Sequence, residues 1–342
     1  MKKKIGIIIS IISILGILVA YNFYTKIYNA NIIEDAAILI PENASIDDVV
    51  LLIDPYLKDK SSFIWVSELK KYPSLIKSGR FLISEGMNNN ELVNMLRLGK
   101  QNAIKVTFNN QDSLKKLTSR VSTQIKADST ELLTALLDSN FLDKNGFTKT
   151  TVLGMLIPNS YEFYWNTSAE KFRDKMLKEY HRFWNKDRLE KAKKLNLTKN
   201  EVITLASIVQ KETAKISERP TVAGLYLNRL QDGWALQADP TIIYALKQKH
   251  GQDYIVKRVL TKDLEIDSPY NTYKNTGLPP SLISMPDISS IDAVLNPKQH
   301  DYYYMCASVT SIGSHEFAKS LAQHNNNARK YQKWVSKQGI NR

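Results

Sequence analysis

Cysteine is all but missing from this chain of 342 residues: Cys306 stands alone. One cysteine can build neither an internal disulfide framework nor a thiolate-rich metal site, and it reads as a small core hydrophobe. Glycine and proline are also sparse, at 13 and 11 residues, while 43% of the chain is hydrophobic. That balance excludes a fibrous or disordered protein and supplies core for two or three compact units. Acidic side chains number 34 against 47 lysines and arginines, a formal charge of +13. A basic surface attracts nucleic acid, anionic lipid and other polyanions alike. No zinc-finger spacing, glycine-rich phosphate loop or Lys/Arg run beyond Lys2–Lys4 is present, which argues against a nucleic-acid partner.

Long apolar runs are missing too, except at the N-terminus. After Lys2, Lys3 and Lys4 the stretch Ile5 to Tyr24 carries no charge and is dominated by Ile, Leu and Val, the length of a helix that crosses a bilayer core. The lysines predict a cytoplasmic tail over residues 1–4 and a transmembrane helix over 5–24, with Tyr21, Phe23 and Tyr24 at the outer interface. The chain from about Lys26 onward is then expected outside the cell (inner) membrane, on its outer or periplasmic side, held by a single-pass anchor. A cleaved signal peptide is the rival, but small-x-small sites are lacking: Leu18 precedes Ala20 and Tyr28 precedes Ala30. With no cysteine nearby, lipid attachment is not expected.

After the anchor, Ile38–Ile40 reads as a short strand ending at Pro41. Ser45 can cap a helix with apolar Ile46, Val49, Val50 and Ile53. Phe81 and Ile83 alternate in a second strand, and a further helix carries Leu92, Met95 and Leu96 up to Gly99. A small mixed unit of strands and helices of this size fits a carbohydrate-binding module and equally an inert spacer. Ile104, Val106 and Phe108 open the rest as a strand, helical periodicity runs from Leu114 to about Leu195 with a break at Pro158–Ser160, and Tyr302–Ala307 is a late strand candidate. Strands and helices do not alternate regularly, so the predicted class is α+β.

The stretch Thr198–Thr213 carries the chemistry. Thr198 and Glu201 have capping-box spacing, which gives Glu201 a local structural job. Val202, Leu205, Ala206 and Val209 form an apolar stripe, and Glu212 projects onto its edge while Lys211 points away. Burial disfavours an ionised carboxylate, so Glu212 is expected to stay protonated near neutrality, as a general acid requires. A paired structural carboxylate fits the same pattern, and spacing alone leaves both open.

Ala206-Ser207-Ile208-Val209-Gln210-Lys211-Glu212-Thr213, then Ser217-Glu218-Arg219 and Leu227-Asn228-Arg229-Leu230, resemble the endolytic murein transglycosylases, the MltG or YceG-like family. The likeness continues through Leu236–Thr241, Tyr270–Tyr273, Gly277–Pro280, His315–Phe317 and His324-Asn325. The family's helix motif commonly ends Glu-Lys-Glu-Thr with the second Glu catalytic; Glu212 holds that place and Gln210 replaces the first. The resemblance implies a LysM-like module over 36–102 and a catalytic domain over 103–342.

It further implies a lyase that needs neither metal nor organic cofactor. Glu212 would protonate the bond between N-acetylmuramic acid and N-acetylglucosamine, then deprotonate the muramoyl C6 hydroxyl as it closes onto C1, leaving a 1,6-anhydro end. Asn228, Gln237, Asp239, Asn271, Tyr273 and His315 lie in the matching motifs and offer hydrogen bonds suited to sugar hydroxyls and N-acetyl groups. The implied partners are peptidoglycan glycan strands, the membrane and peptidoglycan synthases. Two rivals stay open. A muramidase-type hydrolase would add Asp239 or Glu218 as second carboxylate; a non-catalytic wall-binding scaffold would need no acid at 212.

Overall fold

The computed structural model describes residues 2–337, whose contacts divide into two compact units. The first holds the chain up to Val106 with Gln124–Ala127 and Tyr161–Ser168; the second holds Thr107–Thr123, Asp128–Ser160 and the chain from Ala169 on.

In the first unit α1 (Lys2–Tyr28) contains the apolar run, and among the described residues it is the one helix long and apolar enough to cross a membrane. Its last turns belong to the packed unit. Phe23 stacks on Trp65 with ring centroids 5.1 Å apart, and the Lys26 carbonyl accepts from Asn89 Nδ2 at 2.9 Å. There follow β1 (Ala36–Ile40), α2 (Ile46–Ile53), α3 (Lys60–Leu69), β2 (Gly79–Ile83) and α4 (Asn89–Leu98). β1 and β2 pair antiparallel with Ile38 opposite Phe81, so Ile38, Ile40, Phe81 and Ile83 share the face that joins the core. Ser45 with Asp48 and Asn88 with Glu91 close capping boxes on α2 and α4, and Gly99 ends α4 at φ +68. Under the helices lies a buried polar triad: Asn31 Nδ2 donates to Asn89 Oδ1 at 2.8 Å, and Asn89 Nδ2 to Ser62 Oγ at 2.9 Å.

The chain continues through β3 (Ile104–Phe108), α5 (Leu114–Ser122), α6 (Ser129–Leu136), α7 (Ser139–Asn145), β4 (Asn159–Phe163), α8 (Ala169–Phe183) and α9 (Lys186–Lys194). The break expected at Pro158–Ser160 is the start of β4, where buried Tyr161 and Phe163 alternate with exposed neighbours. Next come α10 (Lys199–Glu212), α11 (Arg219–Gln231), α12 (Asp239–His250), α13 (Ile288–Leu295), the hairpin of β5 (Tyr304–Ala307) and β6 (His315–Ala318), and α14 (Leu321–Lys337). Among the described residues the strands form three two-stranded sheets, β1 with β2, β3 with β4 and β5 with β6, and the class is α+β.

α10 is the axis of the second unit. The apolar stripe predicts one buried face, yet every residue from Val202 to Val209 is buried, because α9, α11, α12 and α13 all pack on this helix. Each Val, Leu or Ile so enclosed contributes about 1.5–3 kcal/mol. Its buried Ser207 is satisfied: Ser207 Oγ donates to the Thr204 carbonyl at 2.7 Å and accepts from Ile283 N–H at 3.0 Å. At its N-terminus Thr198 and Glu201 form the expected capping box.

Candidate active site

Glu212 is the last residue of α10, and the side chain two residues before it fixes where that end lies. Gln210 Oε1 accepts from Ser290 Oγ at 2.7 Å and from Asp287 N–H at 3.2 Å, at the N-terminus of α13. Asp287 also holds the Arg219 guanidinium at 2.7 Å, and Arg219, only 4% exposed, is the first residue of α11. One polar knot thereby registers the end of α10 against the starts of α11 and α13. The amide at 210 accepts both bonds without burying a charge.

α11 supplies the groups nearest the acid. Tyr226 and Arg229 are three residues apart and so share a helix face. The Tyr226 hydroxyl, buried with its ring, donates to Glu212 Oε1 at 2.5 Å. The Arg229 guanidinium is spent on backbone: Nε donates to the Tyr303 carbonyl at 2.8 Å and Nη1 to the Leu236 carbonyl at 2.6 Å. Those bonds fasten the segments that carry Gln237 and β5 to the floor of a cleft of about 220 Å³.

Glu212, Tyr226, Arg229, Gln237, Asp239, Tyr273 and His315 line that cleft, with Met305, Cys306 and Ala307 of β5. Asp239 opens α12, and its Oδ1 accepts from the Tyr273 hydroxyl at 2.6 Å. Gln237 sits in the left-handed region at φ +52, an unusual conformation for a residue with a side chain, and its N–H is held by the Thr272 carbonyl at 3.0 Å. His315 begins β6; its Nδ1 lies 2.8 Å from Glu218 Oε2, and its backbone N–H donates to Glu218 Oε1 at 2.7 Å.

Burial pushes the Glu212 carboxyl up to about 7, against the opposing pull of the Tyr226 hydrogen bond and the His315 and Arg229 charges; Asp239 adds to the rise. Burial, and then the neighbouring Glu212, raise the Tyr226 phenol well above its ordinary value, so it stays a donor. Burial, with the bond to Asp239, raises Tyr273 likewise. Burial would also raise Glu218, but the bonds from His315 outweigh it and hold Glu218 below the usual carboxylate range. The cleft therefore contains one carboxyl that is half protonated near neutrality, with one oxygen occupied by a phenol and the other left to carry the proton.

Five of the residues singled out from sequence come together here: Glu212, Gln237, Asp239, Tyr273 and His315. Asn228 and Asn271 do not line the cleft. The Asn228 amide donates to the carbonyls of His300 and Tyr302 at 2.8 and 3.1 Å. Asn271, fully buried, donates to the carbonyls of Leu264 and Ile266, both at 2.8 Å, and accepts from Tyr273 N–H at 2.9 Å. Glu218 is also outside the lining, with both oxygens engaged by His315. Cys306, read as a core residue, is half-buried at the cleft, and burial raises its thiol. Sequence reasoning passed over Tyr226 and Arg229. Their signal was a Tyr and an Arg at i, i+3 on a helix whose surrounding residues are apolar.

A model of the YceG-like family matches residues 38–330. The chain is 30% identical over 310 residues to the endolytic murein transglycosylase of Bacillus subtilis, covering 85% of this chain and 83% of that protein. It is 28% identical over 321 residues to the endolytic murein transglycosylase of Streptococcus pneumoniae, covering 84% of this chain but 57% of the longer relative. The crystal structure of a YceG-like protein from Listeria monocytogenes aligns with a TM-score of 0.57 and 29% identity, over 86% of this chain and 98% of that one.

Proposed function

The chain belongs to the YceG-like family, and from that premise we propose that it is a peptidoglycan lytic transglycosylase in which Glu212 serves as acid and then as base. The observation that carries the reading is the Glu212 carboxyl, pushed up to about 7 in a cleft lined by amide, phenol, imidazole and carboxylate groups. At neutral pH part of the population holds a proton ready for the glycosidic oxygen, and the ionised remainder of the cycle is a base of matched strength. In the first step the Glu212 proton passes to the oxygen between N-acetylmuramic acid and N-acetylglucosamine as the bond to C1 breaks through an oxocarbenium-like transition state. In the second, Glu212 takes the proton of the muramoyl C6 hydroxyl, whose oxygen bonds to C1. Water is not consumed, and the muramoyl end is a 1,6-anhydro ring.

Tyr226 keeps one carboxylate oxygen fixed through both steps. Gln237, Asp239, Tyr273 and His315 are assigned to the sugar hydroxyls and N-acetyl groups, and Asn271 to positioning Tyr273 through its backbone bond. The layout we assign is a cytoplasmic tail at 1–4, a single-pass anchor over 5–24, a LysM-like module over 36–102 and a catalytic domain over 103–342. The strand-helix-helix-strand order of β1, α2, α3 and β2 supports the module, and α1 supports the anchor. A catalytic domain held at the outer face of the membrane meets glycan where it is made, so its task is read as trimming or terminating new strands beside the synthases.

Cleavage of unlabelled peptidoglycan in H₂¹⁸O tests the mechanism. The expected muramoyl ends are anhydro and free of ¹⁸O, because the ring closes with the sugar's own C6 oxygen. Immediate ¹⁸O at a reducible C1 would instead assign a hydrolase, with Asp239, the other carboxylate lining the cleft, as the second carboxylate.

A further inference from the structure

Of the five tryptophans, Trp234 is the exposed one, with 43% of its surface accessible. Single exposed apolar residues are ordinary where the chain is loose. This one is held in place. Gly233 N–H donates to the Leu230 carbonyl at 3.3 Å and Trp234 N–H to the Arg229 carbonyl at 2.8 Å, the paired bonds of a Schellman motif that ends α11. Gly233 takes the left-handed φ of +70 that this turn requires.

The ring is backed as firmly as the backbone. Its centroid lies 5.1 Å from that of Tyr303 and 5.9 Å from that of Tyr304. The Tyr303 hydroxyl is fixed in turn by Asp232 Oδ2 at 2.5 Å. Tyr304 stacks on His324 with centroids 5.4 Å apart, and the Arg229 guanidinium stands 5.9 Å from the Tyr304 ring. Tyr303 and Tyr304 therefore pack against the Trp234 ring, while 43% of the residue's surface stays accessible. The row is continuous with the cleft at two points: Arg229 lines the cleft, and Met305, the residue after Tyr304, lines it too.

We infer that Trp234, backed by Tyr303 and Tyr304, is a stacking platform for a further sugar ring of the glycan strand, one that extends the cleft outward from Arg229. The inference rests on the glycan-cleaving reading above. A pyranose presents a face of C–H groups to an indole, while its equatorial hydroxyls stay in water; a rigidly held, part-exposed aromatic loses little entropy on receiving it. Such a platform adds affinity for strands long enough to reach it and leaves the acid untouched.

The test uses the full chain in detergent carrying Glu212→Gln, so that bound strands are not cut, and measures affinity for peptide-free glycan strands of increasing length. Adding Trp234→Ala is expected to weaken binding of long strands about tenfold and to leave the shortest disaccharide fragment unchanged. Trp234→Phe, which keeps a smaller stacking face, should recover most of the loss. Equal affinity with and without the indole, or an equal loss at every strand length, overturns the platform. So does a change in self-association without a change in glycan binding, which would make the patch a contact between copies of the chain. Cleavage by the wild-type chain is assayed separately: failure to cut glycan sinks the catalytic reading, whereas the platform stands or falls on length-dependent binding.

Discussion

At the scale of single residues, the proposed role of Glu212 as the acid sets an expected pH behaviour. Its carboxyl is raised to about 7, so the form able to donate a proton declines as pH rises through that value. The rate of cleavage should fall about tenfold per pH unit above it. Tyr226→Phe removes the hydrogen bond that opposes the rise; the alkaline limb of the pH–rate profile should move upward, and an unmoved limb would show that Tyr226 does not act on the acid. Stability has its own sign. A carboxyl whose folded value lies above its unfolded one stabilises the fold below the unfolded value, and that contribution is lost as pH rises through about 7. Glu212→Gln, which cannot ionise, should therefore abolish cleavage yet raise the unfolding midpoint at about pH 8 relative to wild type. The gain is roughly 1 kcal/mol, discounted for the partial exposure of the group, and should vanish only below the unfolded carboxyl value, at about pH 4. Glu212 was legible in the sequence because helical spacing projects a side chain onto a face. Asn228 and Asn271 were legible as hydrogen-bonding residues but not as to direction, since composition cannot tell an amide aimed at a sugar from one aimed at a carbonyl.

Among the elements, α11 is the one whose placement decides the site, because it carries both Tyr226 and Arg229. A Cβ at Gly224 would stand 2.4 Å from the Lys298 carbonyl and 2.8 Å from His300 Nε2. A carbonyl cannot swing aside as a side chain can, so Gly224→Ala must shift α11 or the 298–300 segment. That overpacking is expected to cost roughly 1–3 kcal/mol and to lower cleavage sharply; an unchanged unfolding midpoint would refute the close approach. Thr198→Ala, at the far end of α10, should cost about 1 kcal/mol through its capping bond and leave cleavage intact, which separates loss of stability from loss of the site. Most elements followed from local pattern: β1, α2, β2 and α4 through alternation, caps and the Gly99 stop. α3 was obscured because Ser62 and Ser67 take buried positions where apolar residues mark the period, and Ser62 is satisfied by the distant Asn31 and Asn89. The full burial of α10 was equally hidden, since the helices that cover its second face come from other parts of the chain.

For the whole molecule, the proposed anchor and the folded first unit meet within α1. Charge and hydropathy place the boundary at about Tyr24 to Lys26, which invites a soluble fragment begun near Asn31. The packing puts the boundary earlier. Asn31 is 4% exposed and hydrogen-bonded to Asn89, Asn89 in turn needs the Lys26 carbonyl, Ile27 packs against the core, and Phe23 stacks on Trp65. A fragment begun at Asn31 keeps the triad but strips an acceptor from a buried amide and uncovers the Trp65 ring, at a cost of roughly 1–3 kcal/mol. A fragment begun at Tyr21 retains those contacts and discards most of the apolar run. The longer fragment should therefore unfold at a midpoint several degrees higher in the transition that belongs to the first unit, while the two cleave glycan at equal rates, because the Glu212 cleft lies wholly in the second unit. Equal midpoints would mean that the last turns of α1 add nothing to the fold and serve the anchor alone.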